Sequence, residues 1–214
     1  MASDVDGECL TALRATAGDA GLTQLATIQA DAQALPFATA SFAAVTARSV
    51  LQFLPDRPAA IREACRVLLP GGRFACAEPL NRYLTPHHKL LDLTPLGELG
   101  EQIDALFTAV YADPTEPMLT FDERDLVRQC EEAGLIEIGF NLLVHWERPQ
   151  LTPEQAHARV TTSGAADRPP IVALITERLG QEAASRYSAY FVARASAQPL
   201  AERHGFVFVW ARKP

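Results

Sequence analysis

Ser41-Phe42-Ala43-Ala44-Val45-Thr46 is followed by an apolar-periodic run from Ala59 to Leu69, by Pro70-Gly71-Gly72, and by Arg73-Phe74-Ala75-Cys76-Ala77. The first segment is short, rich in small and β-branched residues, and preceded by a polar break, so it reads as a strand. The run after it has helical spacing, the proline and glycines mark a turn, and the last segment reads as a buried strand. The connection between the two strands is too long for a hairpin and implies a parallel pair joined by a crossover helix. Toward the N-terminus, Leu25 to Ala30 is another strand, and Gly7 to Ala20 is a helix with Leu10, Leu13 and Ala17 on one stripe and Gly21 after it. This alternation predicts an α/β fold, a doubly wound Rossmann-like sheet with helices on both faces.

Toward the C-terminus, Asn81 to Met118 has weaker periodicity and more Leu, Pro and His, so residues 80–120 read as a cap at the mouth of the sheet. Thr120 and Glu123 have capping-box spacing at the start of a helix that Gly134 ends. Leu135 to Trp146 and His204 to Ala211 are the last strands. Between them, helices at Pro153–Val160, Pro170–Leu179 and Gln181–Ala197, the last two separated by Gly180, make residues 150–203 a helical insertion before the final strand. The expectation is one domain over residues 1–214.

The net charge of −7 and the dispersed arginines between Arg48 and Arg82 disfavour a nucleic-acid surface, which needs clustered Lys and Arg. A hydrophobic content of 48% supports a packed core and excludes a disordered chain. Cys9, Cys65, Cys76 and Cys130 lack the close pairing of a metal or redox motif and read as buried free thiols, with no metal expected. No apolar run approaches the roughly 20 residues that span a bilayer, and no basic stretch precedes an apolar one at the N-terminus, so no membrane contact is expected and a cytoplasmic location follows.

Three segments in order resemble the class I S-adenosylmethionine-dependent methyltransferases, in particular the small-molecule enzymes of ubiquinone and menaquinone biosynthesis. Ala30-Asp31-Ala32-Gln33-Ala34-Leu35-Pro36-Phe37 is similar to the family's Gly-Asp-Ala-x-x-Leu-Pro-Phe after its third strand. The resemblance gives Asp31 the adenine amino group and the Ala32 N–H a ring nitrogen, a carboxylate and a donor matched to adenine's edge. Ser41 to Asp56 resembles the family's fourth strand and the helix after it, which sets Arg48 and Ser49 at the edge of the reaction centre; the family often has Asp where Ala43 stands. Arg66 to Arg73 matches the turn into the fifth strand and is architectural. Asp4-Val5-Asp6-Gly7-Glu8-Cys9-Leu10 resembles the end of the second strand, which gives Asp4, beside Val5, the ribose hydroxyls; Asp6 is the alternative, because it also suits the N-cap of the next helix.

The resemblance makes residues 1–79 the cofactor-binding half. It also implies that the segment after the fifth strand lines an acceptor pocket, with Tyr83, His87 and Tyr111 as candidates, Tyr83 and His87 nearest the chemistry, and Glu78-Pro79 a further contact. Read from spacing alone, adjacent His87 and His88 are a solvated pair, and Trp146 and Tyr190 are core.

The family's first strand and Gly-x-Gly-x-Gly loop, which lets the backbone approach the cofactor, have no counterpart ahead of Asp4. In the family that strand lies between the second and the fourth, the sheet running third, second, first, fourth, fifth, seventh, sixth. Three expectations compete. Met1 is an internal methionine of a longer protein, another copy or partner chain completes the sheet, or the fold closes differently and is a noncatalytic binding or regulatory module. Met1-Ala2-Ser3-Asp4-Val5 reads as a strand already in progress, which favours the first. The function implied is methyl transfer from S-adenosylmethionine to a small organic acceptor.

Overall fold

The structure, a computed structural model, describes residues 1–163 and 168–214. In chain order its elements are β1 (Ala2–Asp4), α1 (Gly7–Asp19), β2 (Thr27–Gln29), β3 (Phe42–Arg48), α2 (Arg57–Val67), β4 (Leu68–Pro79), α3 (Glu98–Tyr111), α4 (Glu123–Glu132), β5 (Ile136–Glu147), α5 (Pro153–Thr161), α6 (Ile171–Leu179), α7 (Gln181–Ala197) and β6 (Glu202–Arg212), with short 3-10 turns between them. The chain forms two compact units: Met1–Leu80 with Thr120–Leu143 and Phe206–Pro214, and Asn81–Leu119 with Val144–Gly205.

The first unit contains two ladders. β1 and β2 pair in parallel, Asp4 opposite Gln29, and the second sheet runs β3-β4-β6-β5. β3 and β4 are parallel, β4 and β6 antiparallel. Placed side by side, these orders are the family's with its central first strand left out; no strand among the described residues joins the ladders. The Pro70-Gly71-Gly72 turn appears as an irregularity within β4. Phe42 pairs with Leu68 and Ala44 with Arg73, so residues 69–72 leave the ladder.

Helix starts follow local side-chain chemistry. The Asp6 carboxylate accepts the Glu8 N–H at 2.7 Å, and Asp56 accepts the Ala59 N–H at 2.9 Å, each satisfying a donor that an α-helix leaves unused at its first turn. The capping box at α4 is formed by Asp122 and Asp125, not by Thr120 and Glu123. Thr120 instead accepts from the Arg57 guanidinium at 3.2 Å, and Asp is as strong a cap as Thr, so the helix begins at the later acid.

Alternation along β4 and β6 buries Phe74, Cys76, Val207 and Val209 on the face shared with α2 and α4. Cys76 lies near Cys130 of α4, and Cys130 near Cys65 of α2. Burial raises all three thiols, Cys130 to about 12, so they are protonated and inert. Cys9 departs from expectation and is exposed. The opposite face departs too. There Phe208 and Trp210 remain 42% and 43% exposed, where a sheet layered by helices on both sides would bury them.

The second unit is helical, apart from the ends of β5 and β6. Leu93, Ile103, Phe107, Val160, Ile175, Tyr187 and Phe191 form its core. The expected helices are found within a residue or two, and α6 gives way to α7 at Gly180, whose φ of 93° is disfavoured for any side chain. The cap segment holds an additional long helix, α3. Its weak periodicity has a physical source: the segment starts with 3-10 turns around Pro86 and Pro95 and becomes amphipathic only from Glu98. Trp146, expected in the core, is 72% exposed near the end of edge strand β5. Tyr190 is half-buried, its hydroxyl donating to the Asp92 carbonyl.

Candidate functional site

Parallel strands direct their C-terminal ends the same way, and β1 and β2 deliver the two acids singled out in the sequence to one such end. The Ala30 N–H donates to the Asp4 carbonyl at 2.9 Å, so Asp31 comes one residue beyond the backbone bonded to Asp4. Asp4 is half-buried; one of its oxygens accepts the Asp6 N–H at 2.9 Å and the other has no hydrogen-bond partner among the described residues. Val5 is exposed, and its carbonyl accepts from the Gln29 amide at 2.8 Å. Asp6 caps α1, the alternative role the sequence offered it.

Asp31 is exposed and accepts the Gln33 N–H at 2.8 Å, closing a tight turn that leaves the Ala32 N–H without an acceptor among the described residues. The loop after it is held to α2 by Glu63 and Arg66, the latter read in the sequence only as part of a turn. Arg66 donates to the Phe37 carbonyl at 2.8 Å and the Leu35 carbonyl at 3.0 Å, while Glu63 accepts the Leu35 N–H at 2.8 Å and pairs with Arg66 at 2.7 Å. That hydrogen bonding, the Arg66 guanidinium foremost, holds the Glu63 carboxyl below its ordinary range. The only sequence signal was a Glu and an Arg three apart on one helix face.

Arg48 ends β3 and Ser49 follows it. Ser49 takes a left-handed φ of 52°, and its N–H donates to the Ala77 carbonyl at 2.9 Å. Beyond it, the chain is held by Glu78, which is fully buried rather than presented to a ligand. Its carboxylate accepts three successive N–H groups, of Val50 at 3.1 Å, Leu51 at 3.2 Å and Gln52 at 3.2 Å. Burial raises the Glu78 pKa, and these three donors together with Arg57 oppose the rise. The expected acceptor contact at Glu78 is therefore a backbone anchor.

In the second unit, His87 and His88 sit in a 3-10 turn and are 8% and 4% exposed, which corrects the reading of a solvated pair. The His87 ring stacks on Phe191 at 4.8 Å between centroids, and the His88 ring lies parallel to Phe107 at 5.8 Å. Burial, aided by Arg159 and His88, pushes the His87 pKa down to about 3. Its Nε2 is buried and has no hydrogen-bond partner among the described residues. His87 and Tyr111 share the lining of one cavity of about 460 Å³, and the Tyr111 hydroxyl accepts the His87 N–H at 3.3 Å. Tyr83 is not in that lining. Its side chain lies over Gly205, where an added Cβ would come within 2.6 Å of the Tyr83 Cβ and 2.9 Å of its ring, and its carbonyl accepts from Arg203 at 2.7 Å. Among the described residues, no group of three or more His, Cys, Asp or Glu is placed to hold a metal ion, and no helix is long and apolar enough to cross a membrane.

Residues 1–76 match the family described as "Methyltransferase domain". The chain is 32% identical over 146 residues to the ubiquinone/menaquinone biosynthesis C-methyltransferase UbiE of Rickettsia massiliae, covering 66% of this chain and 58% of that one. It is 38% identical over 145 residues to the UbiE of Bartonella tribocorum, covering 65% and 55%. The chain thus spans a little over half the length of these curated relatives. Its fold is shared with the BH2331 protein of Bacillus halodurans C-125, at a TM-score of 0.56, 17% identity and coverage of 99% and 81%. The YcgJ protein of Bacillus subtilis superposes at 0.55, with 16% identity and coverage of 99% and 80%. Residues 1–76 are thus similar to the methyltransferase-domain family, and about two thirds of the chain is similar to part of the UbiE C-methyltransferases.

Proposed function

We propose that this protein binds S-adenosylmethionine at the C-terminal end of β1 and β2 and transfers its methyl group to a small organic acceptor. The observation that carries the reading is the meeting of two acids at one strand end, Asp4 with an unused carboxylate oxygen and Asp31 beside the free N–H of Ala32. An unused oxygen suits a ribose hydroxyl, and a carboxylate next to a donor suits the amino group and ring nitrogen of adenine. The residues present therefore fit an adenosine group.

When bound, the cofactor supplies an electrophilic methyl on a sulfonium. The chain's own contribution is to hold and orient, and rate in such a reaction comes mainly from keeping the reacting atoms in near-attack geometry. Asp4 with Val5, and Asp31 with Ala32, fix the nucleoside; Arg66 and Glu63 hold the Asp31 loop on α2; Glu78 fixes the backbone beyond Arg48 and Ser49. His87 takes part as a neutral ring that hydrogen-bonds the acceptor, because a group whose pKa lies near 3 is a weak proton acceptor. Tyr83 acts through its packing on Gly205, which fixes the 3-10 turn that leads to His87. The net charge of −7 supports a small acceptor over a nucleic acid, and a cytoplasmic setting is consistent with three buried unoxidised thiols.

The test is incubation with methyl-labelled S-adenosylmethionine and a panel of phenols, carboxylic acids, amines and enolisable carbonyl compounds. Label is expected in one of these classes, with release of S-adenosylhomocysteine. No transfer to any class, together with no binding of S-adenosylhomocysteine, removes the reading.

A further inference from the structure

The cavity of about 460 Å³ beside α3 and α6 lies wholly within the second unit and is walled by Leu84, Phe107, Met118, Leu119 and Leu174. Its size suits a ligand of two fused rings or an equivalent branched chain, and such apolar walls set against a few fixed polar groups characterise small-molecule sites. The polar groups are Asn81, His87, Tyr111, Glu116 and Arg168.

Their charges cancel. Glu116 and Arg168 form an ion pair across the lining, and His87 is neutral at any physiological pH. Asn81 is already committed, donating to the Met118 carbonyl at 3.1 Å. An anionic or cationic ligand would thus surrender its hydration and meet no surplus counter-charge among the described residues. A neutral ligand escapes that cost. Two buried nitrogens nevertheless lack a partner among the described residues, His87 Nε2 and Arg168 Nε. A buried polar atom left unsatisfied is costly, and protein cavities seldom keep two without a ligand or water to engage them.

We propose that this cavity binds a neutral, mostly apolar small molecule through one hydroxyl or carbonyl oxygen that hydrogen-bonds His87. The binding site stands on its own lining; taking its ligand for the methyl acceptor rests on the transfer proposed above. The choice excludes phosphorylated compounds, for which Arg168 is already neutralised, and ammonium compounds, for which Glu116 is.

Three probes of one shape test it by fluorescence titration of the full chain in the absence of cofactor: 1-naphthol, neutral at pH 7, 1-naphthoate, an anion, and 1-naphthylmethylammonium, a cation. 1-Naphthol is expected to bind roughly tenfold or more tighter than either ion. Leu174→Trp, which fills the cavity, is expected to abolish binding, and His87→Phe to weaken naphthol binding roughly tenfold by removing its hydrogen bond while leaving residual apolar binding. Equal binding of the three probes by the unmodified protein, tighter binding of an ion, no binding, or naphthol binding that survives Leu174→Trp overturns the proposal. None of these results depends on S-adenosylhomocysteine, whose separate titration reports on the transfer reading.

Discussion

Replacing His87 by Phe is expected to make the protein more resistant to acid, by an amount that grows as the pH falls from 6.5 toward 3. Burial lowers the folded-state pKa of His87 from 6.5 to about 3, with Arg159 and His88 adding to the effect. Between those values the unfolded chain carries a proton that the folded chain refuses, so acid favours unfolding. The stability linked to His87 is therefore whole above its unfolded pKa and is lost as pH drops through the window. Each pH unit costs roughly 1.4 kcal/mol, and the whole span on the order of 5 kcal/mol, a large part of a typical domain's stability. Phe keeps the stack on Phe191 and takes up no proton. Urea unfolding of both proteins at several pH values between 7.5 and 4 measures the difference directly; parallel stability curves would show that His87 is protonated in the folded protein.

Glu78→Leu is expected to destabilise the protein by several kcal/mol. The carboxylate is fully buried and accepts three consecutive N–H groups, and leucine leaves all three without a partner. At about 1–3 kcal/mol for each orphaned donor, the loss is on the order of 3–9 kcal/mol, reduced by whatever burial of the charge had cost. Glu78→Gln keeps one acceptor oxygen and is expected to lose about half as much. Amide exchange localises the effect: in the Gln variant, Val50, Leu51 and Gln52 should exchange faster while the β6 amides stay protected. A uniform acceleration across both segments, or no loss of stability in the Leu variant, would deny Glu78 this role.

Where sequence reading succeeded, the signal was local and doubly determined. Asp6 as an N-cap, the break at Gly180 and the helices from Pro153 to Ala197 each needed only a cap or a glycine next to a helical period. Parallel pairing was legible from the long crossover connections, and the strand order came from the resemblance, whose motifs fixed which strand was which. The errors concerned burial and long-range partners. His87 and His88 look polar in sequence, yet Phe107, Tyr187 and Phe191, far away along the chain, enclose them. Trp146 looks like core and is exposed because β5 is the edge of its sheet. Thr120 lost the cap to Asp122 through an arginine 63 residues earlier.

The candidate site shows the same division. Asp4, Asp31, Arg48 and Ser49 were legible as strand-end residues because motifs encode where a strand stops. Glu63 carried no signal beyond its spacing from Arg66, Arg66 was read only as part of a turn, and Glu78 was read as an acceptor contact, because all three act on backbone groups 26 to 31 residues away, which no spacing rule contains. These three residues hold in place the pair of loops on which the proposed cofactor contacts depend.

Calorimetric titration with S-adenosylhomocysteine, comparing the natural protein with Asp4→Ala and Asp31→Ala, tests that dependence most directly. Saturable binding is expected for the natural protein, with an affinity about 10- to 100-fold weaker in each variant, as for losing a hydrogen bond to a charged group. Binding equally strong in all three proteins, or binding by none of them, would contradict an adenosine site built on these two acids.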